Sequence, residues 1–215
     1  MERKEKLNRA LCDIRKAHRM IYSYQQRMLG LMKFISAKLD FAQISGVKHF
    51  SNDMYKRRNG YIDVHGDMWA WDFLYSYLFE YYLGEKEIDG GDSIALSVVQ
   101  YSDTGFFENS NNDDRTDVAS FAAEEESASK LLFIIERKPK GAECEWNIEE
   151  LVNNKEYASK NHTCCILECG NGGRQCLYSF AIEDFIDEET ALESLERLCG
   201  YCRDTGFADI HIRRV

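Results

Sequence analysis

Six of the eight cysteines lie between positions 164 and 202, at Cys164, Cys165, Cys169, Cys176, Cys199 and Cys202. Four thiolates that converge can hold zinc tetrahedrally. Cys169 and Cys176 flank Gly170-Asn171-Gly172-Gly173, a turn sequence that would set them opposite each other at the base of a hairpin. Cys199-Gly200-Tyr201-Cys202 has the two-residue spacing that lets both sulfurs of one turn reach one ion. Cys169, Cys176, Cys199 and Cys202 are therefore the candidate zinc ligands. The competing reading makes them small buried hydrophobes, the common fate of a free cysteine. A redox role for Cys199 and Cys202 is disfavoured: the C-terminal end of a helix raises a thiol pKa, whereas reactive pairs draw theirs down at a helix N-terminus.

Glu136-Arg137-Lys138 ends the apolar run Leu131–Ile135. On a strand, residues two apart share a face. The Glu136 carboxylate could thus hold a divalent ion while the Lys138 ammonium steadies an attacking hydroxide. Asp103, at the end of the preceding candidate strand, could supply a second carboxylate. With this order of elements, Asp103, Glu136 and Lys138 make residues 90–170 resemble the core of the PD-(D/E)xK nucleases. The resemblance implies a metal-dependent phosphodiesterase. An acidic body opposes it, because a nuclease must approach phosphates, and a solvated strand end leading into Pro139 is the alternative. Asp63, His65 and Asp67 could ligate a metal from one strand face, or Asp67 could cap a following helix. His211 alternates with apolar residues and reads as a partly buried sheet residue. Trp69 and Trp71 open an alternating aromatic series that could form a stacking platform or a peptide groove. Core packing is the more frequent use of such residues.

The elements that must position these residues begin with a long helix. Leu7, Ile14, Ile21, Met28 and Ile35 recur every seven residues, and Ala10, Ala17, Tyr24 and Leu31 follow the first four by three. This a/d seam is how a helix is written when it must face a partner along its length. The spacing predicts a helix from about Lys4 to Leu39, roughly 50 Å long at 1.5 Å per residue. Up to Arg27 the seam is narrow, whereas from Met28 to Phe41 the segment is apolar nearly all round, which reads as burial. Residues 1–38 hold ten Lys/Arg against three Asp/Glu, or +7, so that of the net −10 the remaining residues carry −17. The expected organisation is a basic helical arm over 1–40, its second half buried in the body, and an acidic domain over 41–215.

Within that domain, residues 42–60 read as irregular and Tyr61–His65 as a short strand. Trp69, Trp71, Phe73, Tyr75, Tyr77, Phe79 and Tyr81 alternate as on a strand. Yet Asp67 and Gly84 make good caps, and Asp72, Ser76 and Glu80 form an i, i+4 stripe. The caps and stripe predict a mostly buried helix over Met68–Leu83. Strands are expected over Ser93–Asp103 and Lys130–Lys138, and a loop over Gly105–Ser129. A helix is expected over Trp146–Ser159 and a hairpin over Cys164–Cys169 and Cys176–Ile182. An amphipathic helix over Asp187–Cys202 and a final strand over Phe207–Ile212 complete the chain. The fold class is α+β: a long N-terminal helix and a mainly antiparallel sheet with helices packed on one side.

Several functions are set aside. No Gly-rich phosphate loop is present, since Gly170–Gly173 lacks the helix and Lys-Ser/Thr that should follow. Pro139 is the only proline, which excludes proline-rich recognition segments. No stretch reaches the ~18 apolar residues of a membrane span. Without an apolar leader, eight cysteines point to reduced thiols in a cytoplasm. The leading expectation is a non-catalytic protein-binding or self-associating module, an inhibitor or immunity-type binder among its forms, with a homodimer formed through Leu7, Ile14, Ile21 and Tyr24. Trp69 and Trp71 are further candidate contacts. Nucleic acid is a disfavoured partner, because the acidic body repels a polyanion.

Overall fold

The computed structural model describes residues 2–50, 70–74, 77–88, 90–107, 116–144, 146–159 and 164–213. Its first element is a single helix, α1, Glu2–Leu39. No proline or strong turn sequence interrupts it. It stops at Asp40, which takes a left-handed conformation (φ 60°). There the Phe41 amide donates to the Ser36 carbonyl at 2.9 Å and the Ser36 hydroxyl to the Phe41 carbonyl at 2.7 Å. That closure satisfies carbonyls the helix end would otherwise leave open.

Six strands form one antiparallel sheet in the order β1-β2-β3-β4-β6-β5. They are β1 (Ser45–Lys48), β2 (Leu78–Glu87), β3 (Ser93–Tyr101), β4 (Lys130–Lys138), β5 (Cys164–Glu168) and β6 (Arg174–Ala181). The β5–β6 hairpin closes through Gly170–Gly172, where Asn171 adopts φ 59° and Gly172 φ 78°. Its returning strand inserts between β4 and the edge.

The two sheet faces bury different clusters because side chains alternate along each strand. On the first face Tyr81, Leu83, Leu96, Val98, Phe133, Ile135, Cys176 and Phe180 pack beneath α1 and α4 (Glu188–Asp204). Met28, Met32, Ile35 and Leu39 of α1 enter this core, as do Leu195, Leu198 and Cys202 of α4. On the second face Leu78, Val99, Tyr101, Leu132, Ile134 and Leu177 meet Phe106, Phe107, Leu151 and Val152. The fold is thus the expected α+β arrangement, with both long helices on one side of the sheet.

Four local expectations are corrected. Residues 70–73 form one 3-10 turn and the aromatic run then enters β2, so no helix spans Met68–Leu83. The alternation wins because Tyr81 and Leu83 face the core while Leu78 faces the other side. Irregularity over 42–60 gives way at Ser45–Lys48, a short edge strand paired with β2. The helix expected over Trp146–Ser159 is broken into α2 (Ile148–Val152) and α3 (Lys155–Ser159), both on the second face. Asn153 caps α2 and the Asn154 side chain accepts from the Glu156 amide, so two asparagines divert the backbone. The terminal segment Phe207–Ile212 joins no sheet ladder. It is fastened between α1 and α4 by Ala208 N–H to Cys202 O (3.3 Å) and Arg213 N–H to Lys38 O (2.7 Å).

No helix among the described residues is long and apolar enough to cross a membrane.

Candidate functional site

Along α1 the seam changes character without changing face. Met28 and Ile35 are fully buried, whereas Leu7 is 58% exposed, Ile14 52% and Ile21 44%. Leu11 is also exposed, and Met32 and Leu39 are buried. Together these residues trace a 4-3-4-3 spacing, Leu7, Leu11, Ile14, His18, Ile21, Gln25, Met28, Met32, Ile35, Leu39. The face that meets the core therefore includes the positions after each a/d pair, the wider stripe of a globular helix. Leu11 and its line are the signal that a strict a/d reading misses. Residues 2–25 of α1 carry seven Lys/Arg and three Asp/Glu, and Lys6–Glu2 and Lys16–Asp13 pair within the arm.

Where the arm joins the body lies a groove of about 500 Å³. Ile21, Tyr24, Gln25 and Leu29 of α1 form one wall; Phe73, Leu74, Tyr77 and Phe79 form the other. Phe73, Leu74 and Leu29 are exposed. The floor is polar: Tyr81 donates to Gln100 Oε1 at 2.9 Å and Gln100 Nε2 donates to Ser102 Oγ at 2.9 Å, while the Tyr24 and Tyr77 hydroxyls and Gln25 Nε2 are buried without a hydrogen-bond partner among the described residues. Burial raises the Tyr24 hydroxyl above its ordinary value, and burial with the nearby Tyr24 pushes Tyr81 up to about 12. Both phenols stay neutral at physiological pH. The groove can accept an apolar helix face; His18 lines it as well, and Asp103 acts on the Tyr77 hydroxyl.

Trp71 is not part of an exposed platform. It is buried, its Nε1 donates to the Thr116 carbonyl at 3.0 Å, and its ring sits 4.7 Å from those of Phe50 and Tyr77. Trp69, Asp63, His65 and Asp67 lie outside the described residues.

Asp103 is separated from the other two residues of the nuclease resemblance. Glu136 pairs with Ala95 across β3–β4, whereas Asp103 lies beyond Tyr101, which pairs with Lys130 at the other end. Six strand residues at about 3.4 Å each put roughly 20 Å between those ends. Antiparallel pairing is the cause: the end of β3 meets the start of β4. Asp103 instead accepts from the Gly105 amide at 2.7 Å. Glu136 and Lys138 do share a face, but Lys138 approaches Glu85 at 3.7 Å, and Gln175 Nε2 donates to Glu136 Oε1 at 3.0 Å. Nearby, Glu80 accepts from Ser97 at 2.6 Å and meets His49 Nε2 at 2.9 Å. Burial, reinforced by Glu80 and Glu85, raises Glu136 to about 7.

The four thiols of the candidate zinc site are also divided. Cys176 and Cys202 touch at 3.8 Å in the first-face core, with Cys199 buried on the same helix. Cys169 lies across the sheet, where its thiol donates to Gln175 Oε1 at 3.4 Å. Strand alternation puts Cys169 with Gln175 and Cys176 on the opposite face. Burial pushes the Cys199 thiol up to about 12. All eight cysteines are free, and among the described residues no group of three or more His, Cys, Asp or Glu is placed to hold a metal. His211 is exposed and paired with Asp209 at 3.0 Å, not half-buried in a sheet.

The class defined by this fold is an α+β protein with a long helix half seated on its sheet. The chain belongs to the PM0109 family, whose model matches residues 4–206, arm and body together. No curated protein and no solved structure matches it.

Proposed function

We propose that the protein is a non-catalytic interaction protein that self-associates through the N-terminal half of α1. One observation carries the reading: a single helix face is core from Met28 onward and an exposed apolar stripe from Ile21 back to Leu7. Most helical stability in proteins comes from packing an amphipathic face, and leaving these apolar side chains exposed forgoes roughly 25 cal/mol per Å². A partner helix supplies the missing half of the packing.

Eight free thiols support action in a reducing, cytoplasmic compartment. The −17 carried by residues 39–215 supports a protein partner over a nucleic acid. Hydrogen exchange tests the central reading. Amides of residues 7–21 should gain protection as protein concentration rises, while those of β3 and β4 stay constant. Exchange of the arm that is fast and independent of concentration would contradict self-association.

A further inference from the structure

The groove at the root of the arm and the stripe along it are continuous, and their geometry restricts what can fill them. From Met28 onward the stripe face of α1 lies on this chain's own sheet. A second helix therefore finds room on that face only over residues 2–25. A parallel partner would bring its own sheet to the same side and the same end of the pair, where this sheet already sits. An antiparallel partner avoids the collision, because its body lies beyond the arm's free end.

The stripe is close to its own complement in that sense. The stripe runs from the exposed Leu7, Leu11, Ile14 and Ile21 to the half-buried Gln25 at the groove, and the midpoint of Leu7–Gln25 is residue 16. Rotation about that midpoint sets Leu7 against Gln25, Leu11 against Ile21 and Ile14 against His18, so every layer contains at least one large aliphatic side chain. It also delivers the partner's first turns to the groove walled by Tyr24, Leu29, Phe73 and Leu74.

Charge favours the body as the seat. Residues 2–25 carry seven Lys/Arg against three Asp/Glu, or +4, whereas residues 39–215 carry −17, so opposite charges draw a second arm to the body. The area suffices as well. Leu7, Leu11, Ile14, Ile21, Leu29, Phe73 and Leu74 are each 42–59% exposed. At roughly 200 Å² per fully exposed large side chain, two copies would bury about 1,400 Å², inside the range of stable interfaces.

We infer that the groove is the seat for the N-terminal turns of a second copy, the two α1 arms running antiparallel about a two-fold axis near residue 16. This rests on the self-association proposed above and adds the direction and the docking site.

The test places a photoreactive benzophenone amino acid at position 7 in the full chain. Isotopically labelled and unlabelled copies are mixed, irradiated and mapped by mass spectrometry, with sedimentation run on the same sample. The expected result is a dimer whose cross-links run from position 7 to residues 18–29, Phe73 or Leu74 of the other copy. Introducing Phe73→Glu should abolish the Phe73 and Leu74 links. A dimer cross-linked from position 7 to residues 3–11 of the other copy is parallel and overturns the inference while leaving self-association standing. A dimer with no link into the groove overturns the docking site. A monomer overturns both.

Discussion

Ile21 and Met28 stand one heptad apart on the same line of α1, yet Ile21 is 44% exposed and Met28 1%. The helix does not change at that point; the sheet beneath it ends. The same residue types at the same spacing thus serve two purposes, packing in one half and exposure in the other.

That division should appear in stability. Met32→Ala removes a fully buried side chain and should cost about 2–5 kcal/mol in chemical denaturation. Leu7→Ala, on the exposed half, should cost under about 0.5 kcal/mol at concentrations too low for association. Comparable losses at both sites would show that the arm is already packed on its own body.

Glu136 gives a pH dependence with a definite sign. Its folded pKa, about 7, lies above the ordinary 4.5, so the folded state binds the extra proton. The contribution to stability is full below pH 4.5 and is lost as pH rises through about 7. Glu136→Gln should therefore match the wild type near pH 4 and exceed it at pH 8, by something on the order of 1–3 kcal/mol after solvent screening. Glu80 shifts the other way, held low by His49 and Ser97 against the opposing effect of burial, which is why the comparison is made between variant and wild type. An advantage confined to low pH would contradict the assignment.

Chelation distinguishes packed thiols from ligands. Cys169 faces away from Cys176 and Cys202, so EDTA should leave the melting temperature unchanged. A metal that the four cysteines held would supply folding free energy, and its removal would lower the melting temperature by many degrees.

Asp187 caps α4 rather than forming its first turn. It precedes an apolar stripe of period 3.6, and α4 begins at Glu188 with Asp187 accepting from the Thr190 amide at 2.9 Å. Asp187→Ala should destabilise the fold by about 1 kcal/mol, measurable as a shift in denaturant midpoint. No shift would mean that the cap does not hold α4.

The strands β3 and β4 are legible in the sequence as apolar runs bounded by polar residues, and β6 as one arm of the hairpin that Gly170–Gly173 turns. β2 is not, because Asp72 and Glu80 happen to fall at helical spacing while serving a 3-10 turn and a strand. Local spacing cannot register that Tyr81 and Leu83 pair with β3 and pack under α1. β1 has only Val47 as a strand former in its four residues, too little for a periodic signal. The site residues are harder still. Cys169, Cys176 and Cys202 are close in sequence, yet strand alternation separates the first from the other two. Asp103 and Glu136 end successive strands, and antiparallel pairing sends those ends apart. The groove leaves no local signal because its walls come from α1 and from Phe73, Leu74, Tyr77 and Phe79, joined only by tertiary packing.

Sedimentation velocity over a wide concentration range, on the wild type and on Ile14→Glu, tests the central claim most directly. Self-association through the arm requires the wild type to shift from monomer to dimer with rising concentration. Ile14→Glu should stay monomeric with an unchanged far-ultraviolet spectrum. A wild type that remains monomeric throughout, or an Ile14→Glu variant that dimerises equally well, would contradict it.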